Sequence, residues 1–233
     1  MTTPALRVEA VRTALGGVEI LRGVDLSVQK GVIVGVLGPS GAGKTTLFRV
    51  IAGELRASSG RVELEGRDVT SAPLWVRARN GLGYVPQTPS VLVELSVADN
   101  IRSFESAARV RTRPLAERAG RVGLEGRLGV RAGGLSGGER RRLELLRALI
   151  AEPKVLILDE PLTGVDPAGA ARLGRLLREL AEGGAAVVLA DHRILEALRM
   201  CDEALLLVDG QIELSAPPGE FSSHPAVLRR YLG

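Results

Sequence analysis

The chain has 233 residues, of which 45% are hydrophobic and only 3% aromatic, so it is long enough for one large domain with an aliphatic core. Its longest apolar runs, such as GVIVGVL at 31–37, are far shorter than the roughly 20 residues of a membrane-spanning helix, which excludes an integral membrane protein. The formal net charge of +4 does not predict a nucleic-acid partner, because no Phe, Tyr or Trp from Glu105 to Glu220 offers a base a stacking surface.

The first part of the chain is predicted to form short strands. Residues 5–36 and 61–69 alternate as strands, with turn signals at the GG pair 16–17 and the EG pair 65–66. The N-terminal residues MTTPALRVEAVR lack the apolar stretch of a secretory signal peptide. Cys201 is the single cysteine, which rules out an internal disulfide and is typical of a reducing compartment. We therefore expect a cytoplasmic protein.

The segment GVLGPSGAGKTTLF joins an apolar strand at 32–37 to a helix through a glycine-rich loop. It matches the pattern G-x-x-x-x-G-K-[ST], in which backbone N–H groups surround the phosphates of a nucleotide. Lys44 is expected to contact the β- and γ-phosphates, and the Thr45 hydroxyl is expected to bind Mg²⁺. The predicted nucleotide-binding residues of this loop are Gly38, Pro39, Ser40, Gly41, Ala42, Gly43, Lys44, Thr45 and Thr46.

A helix is predicted at 135–150, LSGGERRRLELLRALI, because apolar residues recur there at helical spacing. It opens on Ser136, Gly137 and Gly138, and the bare backbone N–H groups at such a helix start are suited to an anion. The surrounding residues 96–150 carry helical patterns and no convincing strand. This part of the chain is therefore expected to be helical and to present an anion site.

Strands are predicted again at 155–158, 185–190 and 204–208, with helices between them. The first of them ends in two carboxylates, and functional residues of open α/β sheets gather at the carboxyl ends of strands. We therefore expect Asp159 to hold Mg²⁺ and Glu160 to act as the general base for an attacking water. The DG pair at 209–210 predicts a hairpin, and PPGE at 217–220 is expected to interrupt the chain before a last helix.

Taken in chain order, these motifs resemble the signatures of ABC-type ATPases along nearly the whole chain. LSGGE matches the signature sequence of that family, and YVPQ places Gln87 at its Q-loop glutamine. TGVDP places Asp166 in its D-loop, and VVLADH places His192 at its switch histidine. The resemblance implies a single domain over 1–233, with a P-loop NTPase (RecA-like) α/β core, an antiparallel β edge and an α-helical subdomain inserted at about 88–150.

The resemblance also implies how ATP is bound and hydrolysed. In this family two chains pack head to tail, so that Ser136, Gly137 and Gly138 of one chain would contact the γ-phosphate of ATP held by the other. The chain is therefore expected to be a Mg²⁺-dependent ATPase that works as a homodimer. The expected catalytic residues are Glu160, His192 and Lys44, and the expected contacts of Mg²⁺ are Thr45, Gln87 and Asp159.

One position departs from the family pattern. Family members usually place an aromatic residue near position 15 to stack on adenine, and this chain has Leu15 there. A leucine can pack on a purine but lacks ring stacking, which is worth about 0.5–1.5 kcal/mol beyond area burial. We therefore expect weak contact with the base and loose nucleobase selectivity.

Within the family, long runs are similar to the ATP-binding subunit of lipopolysaccharide export systems, among them 77–101, 135–149 and 159–167. This similarity implies that ATP hydrolysis powers transport through separate integral membrane subunits. The chain would then be peripheral, on the inner face of the cytoplasmic membrane. The partner's coupling helix is expected in a groove just after the Q-loop, formed near Val91, Leu92, Val93 and Glu94.

Two other functions fit parts of the pattern. ATPases of branched-chain amino-acid importers share many of the same motifs and are the first alternative. An alternative of another class is a soluble ABC ATPase acting on nucleic acid or the ribosome. It is disfavoured, because such chains typically carry two ATP domains or long coiled-coil insertions, and this chain has one set of motifs and no sustained heptads. The transported substrate cannot be predicted, because it does not touch this subunit.

Overall fold

The computed structural model describes residues 3–110 and 114–231. Within these ranges the chain forms two β-sheets and a set of helices. The strands are β1 (Leu6–Leu15), β2 (Val18–Val28), β3 (Ile33–Leu37), β4 (Ser59–Leu64), β5 (Arg67–Asp68), β6 (Leu82–Val85), β7 (Val155–Asp159), β8 (Ala186–Ala190), β9 (Glu203–Val208) and β10 (Gln211–Ala216). The helices are α1 (Lys44–Ala52), α2 (Leu74–Arg79), α3 (Val97–Ala108), α4 (Leu115–Gly120), α5 (Gly137–Leu149), α6 (Pro167–Glu182), α7 (Ile194–Leu198), α8 (Pro218–Ser223) and α9 (Pro225–Tyr231).

The smaller sheet is antiparallel, with the strand order β2–β1–β4–β5. Its first hairpin turns at Gly16 and Gly17, whose φ angles of 57° and 81° lie in the left-handed region that a two-residue hairpin turn requires. The second predicted turn, at Glu65 and Gly66, is also present and joins β4 to β5. Buried residues of β1 and β2 share one core with α1 and the larger sheet, so this sheet forms the expected antiparallel edge.

The larger sheet has the order β10–β9–β3–β8–β7–β6, and all of its strands except β10 run parallel. Strands β3, β7 and β8 are buried along their whole length, as continuous apolar runs require when both faces of a sheet are covered. The phosphate loop follows β3, Gln87 follows β6, Asp159 ends β7 and His192 follows β8. The predicted residues therefore meet at one edge of the sheet, as expected for an α/β fold.

The hairpin predicted at Asp209 and Gly210 joins β9 to β10, and both residues have positive φ. The prediction for the tail was incomplete, because PPGE does more than interrupt the chain. Pro218 is the first residue of α8, a position where its missing N–H and fixed φ favour a helix start. The tail therefore contains two short helices, α8 and α9, instead of one.

The described residues between β6 and β7 form helices α3, α4 and α5, two 3₁₀ turns, Glu125–Arg127 and Ala132–Gly134, and one isolated β-bridge between Ser96 and Arg131, with loops between them. This agrees with the expectation for 96–150. Strand β6 itself had no counterpart among the predicted strands, because it has four residues and contains a glycine. A Cβ on Gly83 would lie 2.9 Å from the carbonyl oxygen of Ala148, so the close approach of α5 requires this weak strand former.

Candidate active site

The phosphate loop is shaped by its glycines and by contact with the larger sheet. A Cβ on Gly38 would lie 2.0 Å from the carbonyl oxygen of Leu207, so only glycine fits between the loop and β9. Gly41 and Gly43 have φ angles of 81° and 106°, which side chains rarely adopt. Gly43 is the N-cap of α1 and has no side chain to satisfy the first N–H groups. The start of α1 is therefore suited to an anion.

Lys44 is the first residue of α1 and lies over the loop that precedes it. Its ammonium group donates hydrogen bonds to the carbonyl oxygens of Gly38, at 2.6 Å, and Pro39, at 2.9 Å. Burial lowers the pKa of Lys44 from its ordinary value, while the nearby carboxylates of Asp159 and Glu160 act in the opposite direction. This cation is thus held between the phosphate loop and two acids.

Asp159 is 1% exposed at the end of β7, and one of its carboxylate oxygens, Oδ2, is buried without a hydrogen-bond partner. Burial raises the pKa of Asp159 to about 6. The hydrogen bond from the Thr45 hydroxyl lowers this pKa, and the charge of Glu160 raises it. A buried, unpartnered carboxylate oxygen beside a hydroxyl is the kind of hard donor set that Mg²⁺ prefers. The residues present therefore fit the predicted metal.

Glu160 has a φ of 52°, in the left-handed region, where a residue other than glycine stores strain of about 1–3 kcal/mol. The side-chain amide of Gln87 donates a hydrogen bond to its Oε1 at 2.8 Å, and the Thr163 hydroxyl donates to its Oε2 at 3.2 Å. His192 Nδ1 lies 3.7 Å from the same Oε2, close enough for an ion pair if the histidine is protonated. Both carboxylate oxygens are therefore oriented by neighbours.

Arg141 is a site residue that the sequence interpretation missed. From α5 its guanidinium donates to the carbonyl oxygen of Pro86 at 2.7 Å, to the Glu144 carboxylate at 2.7 Å and to the carbonyl oxygen of Asp159. It thereby joins the signature helix to the ends of β6 and β7. Within the run of three arginines it resembles a solvated helix face, but Leu145, four residues on, shows that position 141 faces the core.

The segments around Asp166 and His192 are also tied together. Asp191, which is buried, accepts hydrogen bonds from the backbone N–H groups of Leu162, at 2.8 Å, and Arg193, at 2.9 Å. The Arg193 guanidinium donates to the carbonyl oxygen of Val165 at 2.9 Å. Asp166 caps the start of α6 by accepting from the N–H of Gly169 at 2.7 Å. Its carboxylate therefore has a local role in helix capping.

The signature residues lie apart from the phosphate loop of their own chain. Ser136 is exposed and forms a capping box with Glu139, in which each side chain accepts from the other residue's backbone N–H. The nearest backbone to a Cβ placed on Gly138 is the carbonyl oxygen of Gly164, at 3.2 Å. Among the described residues, none of the hydrogen bonds or ion pairs joins Ser136, Gly137 or Gly138 to Lys44 or Thr45. The other predicted site residues do converge.

Leu15 is 40% exposed and is paired with Val18 at the end of the β1–β2 hairpin. A tyrosine there could add ring stacking to the contact with adenine. We expect Leu15→Tyr to tighten ATP binding by less than about tenfold, which corresponds to the stacking contribution. Calorimetric titration checks this, with Val18→Tyr across the hairpin as the comparison. Equal or weaker affinity in Leu15→Tyr would mean that the base lies elsewhere.

Asp159→Asn is expected to stabilise the metal-free protein at pH 8. With its pKa raised to about 6, the folded protein at pH 8 carries a charge that its surroundings disfavour, whereas the unfolded chain ionises near 3.8. At this carboxyl group the folded state therefore binds more protons than the unfolded chain between these values, so the destabilising contribution of Asp159 shrinks as pH falls from 6 towards 4. Thermal unfolding with a chelator should show a gain on the order of 1–3 kcal/mol at pH 8 and a smaller one at pH 5. A variant that is no more stable than the wild type at pH 8 would contradict the proposed cost of the buried Asp159 charge.

The family described as ABC transporter matches residues 21–163. The chain is 40% identical over 223 residues to the lipopolysaccharide export system ATP-binding protein LptB of Acidithiobacillus ferridurans, covering 92% of this chain and 90% of that protein. It is 37% identical over 225 residues to LptB of Escherichia coli, covering 94% and 93%.

Two solved structures show the same fold. The ADP conformation of MJ1267, an ATP-binding cassette of an ABC transporter, covers 100% of both chains with a TM-score of 0.87 and 29% identity. A dimeric post-hydrolysis state of the cassette MJ0796, bound to ADP and Pi, covers 91% of this chain and 98% of that one, with a TM-score of 0.81 and 25% identity. These similarities agree with the P-loop NTPase fold expected from the motifs.

Proposed function

Because the chain belongs to the ABC transporter family of ATP-binding subunits, whose members hydrolyse ATP, we propose that it powers lipopolysaccharide export through separate membrane subunits. The observation that carries the proposal is the convergence of Lys44, Thr45, Gln87, Asp159 and Glu160 at one edge of the parallel sheet. The export substrate is supported by the export-system proteins among the relatives.

In the proposed reaction, the start of α1 and the Lys44 ammonium group bind the β- and γ-phosphates of ATP. Glu160 takes a proton from the attacking water, and the hydrogen bond from Gln87 holds its carboxylate in place. The Thr45 hydroxyl and Asp159 would hold Mg²⁺, which neutralises phosphate charge when it is bound. His192, 3.7 Å from Glu160, lies where it could contact the γ-phosphate.

The second half of each ATP site is proposed to come from another copy of the chain. The start of α5 is exposed, and its Ser136 and Gly137 make no hydrogen bond to the phosphate loop of their own chain within the described residues. A head-to-tail homodimer would place this helix start, with Gly138, against the γ-phosphate held by the partner. Hydrolysis would remove that contact and favour opening of the dimer.

The membrane partner is proposed to dock at a groove of about 1100 Å³ between α2 and the helices α3 and α5. Two aromatic side chains in its lining each lie under a guanidinium group. The Cζ atom of Arg79 is 5.0 Å from the ring centre of Trp75, and that of Arg147 is 3.9 Å from the ring centre of Phe104. The lining thus offers a partner aromatic side chains among basic residues, such as Arg79 and Arg147, and acidic residues, such as Glu144 and Glu152.

The segment originally expected to form this groove lies beside it. Ser90 is part of the lining, whereas Val91, Leu92, Val93 and Glu94, which follow it directly, are not. Leu92 and Val93 are nevertheless 42% and 46% exposed, as the sequence interpretation expected for a docking segment. We propose that they contact the end of a coupling helix laid in the groove. No helix of the described residues is long and apolar enough to cross a membrane, and the chain is proposed to bind the inner face of the membrane peripherally.

Leu92→Asp should abolish capture of the membrane subunit while ATP affinity stays unchanged, because it places a charge on an exposed apolar contact that is not part of the phosphate loop. Copurification from native membranes, with identification of the bound integral protein, measures both the partner and its loss. Leu228→Asp, a matched change at another exposed leucine, should retain the partner. A complex that survives Leu92→Asp would contradict the docking site, and an importer subunit as the bound protein would contradict the export function.

A further inference from the structure

Arg77 is a fully buried cation without a carboxylate partner among the ion pairs of the described residues. It is 1% exposed, on α2, and within the described part of the chain its guanidinium donates hydrogen bonds to backbone carbonyl oxygens. Two of these, on Ala72 and Thr70, belong to the loop before α2, at 2.8 and 2.9 Å. The other two, on Val50 and Ile51, belong to the last turn of α1, at 2.8 and 2.7 Å. The group therefore ties α2 to the end of α1.

The end of α1 that Arg77 contacts is rigidly connected to the phosphate site. A cation at the carboxyl end of a helix interacts favourably with the helix dipole and with carbonyl groups that have no partner within the helix. Helix α1 has nine residues, or roughly 13 Å, and begins at Lys44. A Cβ on Gly53, the residue after α1, would lie 2.7 Å from Arg77 Nε, so the guanidinium is packed closely against the end of α1.

The opposite side of α2 faces the groove. Leu74, Trp75, Ala78 and Arg79 are part of the groove lining, and Trp75 is 61% exposed there. One short helix thus presents its apolar and aromatic residues to the groove and anchors its buried arginine on α1. A displacement of α2 must either move α1 or break the two hydrogen bonds that Arg77 makes to Val50 and Ile51.

We propose that Arg77 is a positioning residue that couples the groove to the phosphate site through α1. A segment that presses on Trp75 would shift α2, and Arg77 would transmit that shift to the helix that carries Lys44 and Thr45. By linkage, nucleotide bound at Lys44 must shift α2 in turn, and it must change the affinity of the groove for that segment by the same factor. The proposal requires ATP binding and a mobile α2, and it does not depend on which partner occupies the groove.

The single tryptophan makes this coupling measurable without a partner. In a Glu160→Gln background, to suppress turnover, ATP is titrated while Trp75 emission is recorded, and bound ATP is counted separately by equilibrium dialysis. We expect ATP to change the emission of the parent protein. Arg77→Met, which keeps the length of the side chain and removes its donors, should bind ATP but lose most of the emission change. Arg56→Met, at an exposed arginine after α1, should keep it.

Arg77→Lys keeps the charge at the end of α1 but gives up the planar fork, so it should retain at most half of the response. It carries the test if Arg77→Met fails to fold. An undiminished response in Arg77→Met or Arg77→Lys, or no response when the parent binds ATP, would overturn the proposal. Absence of ATP binding in the dialysis would instead count against the proposed nucleotide site.

Discussion

Glu160→Gln should lower ATP turnover by about 10²–10⁴-fold while leaving ATP binding in place. The amide has the size of the carboxylate and can still accept the hydrogen bond from Gln87, but it cannot take a proton from water. The strained φ of 52° at this position indicates that the surrounding contacts hold Glu160 where it is, so the variant should keep the same backbone. Steady-state hydrolysis and nucleotide binding, measured on the same preparation, check both parts.

The control for this change is Glu179→Gln, at an exposed position on α6. It removes the same charge far from the larger sheet's carboxyl edge, and it should turn over ATP at the wild-type rate. A Glu160→Gln protein with wild-type turnover would show that another group, or no side chain at all, serves as the base. Loss of ATP binding together with turnover would show that Glu160 holds nucleotide and not water.

Ser136→Arg should abolish ATP hydrolysis in a protein that still folds and still binds ATP on its own phosphate loop. The new side chain would fill the space proposed for the partner's γ-phosphate, and the loss of the Ser136 cap costs only about 1 kcal/mol. Hydrolysis assays and dialysis binding measure the two effects separately. If the site were complete within one chain, this exposed position would be expected to tolerate the change.

Ser96→Arg is the matched control, since Ser96 caps α3 in the same way, by accepting from the N–H of Asp99. It removes a serine cap from the same helical part of the chain and introduces the same arginine. We expect a similar loss of thermal stability and near-normal hydrolysis. Equal loss of hydrolysis in both variants would mean that Ser136 matters for folding and not for the γ-phosphate.

The fold could be predicted where apolar patterns are long. The apolar runs of β3, β7 and β8 are continuous and buried. The turns were predicted from residue types that tolerate a positive φ, which is found at Gly16, Gly17, Asp209 and Gly210. Strand β6 was missed because it contains Gly83, a weak strand former. The close approach of α5 requires glycine there, which is a tertiary constraint. No local pattern reports such a contact, and so short strands of this kind escape prediction.

The site could be predicted where a motif states its chemistry. Lys44, Thr45, Asp159 and Glu160 were all identified from residue type and order, and the structure brings them together. Arg141 was not predicted, because its role depends on hydrogen bonds to carbonyl oxygens at the ends of two strands that are distant from it in sequence. The groove lined by Trp75 and Phe104 was not predicted for the same reason, since residues of α2 and α3 line one groove only in the folded chain.

The shared ATP site is tested most directly by two mixed dimers, both in a Glu160→Gln background so that ATP stays trapped. One combines a Lys44→Ala chain with a Ser136→Arg chain, and differently tagged chains allow the mixed dimers to be isolated. The other combines the double variant with a chain that carries neither change. If each ATP lies between Lys44 of one chain and Ser136 of the other, the first dimer keeps one intact site and the second has one defect in each. We predict up to one trapped ATP per dimer in the first mixture and close to none in the second. More ATP in the second mixture would contradict the shared site.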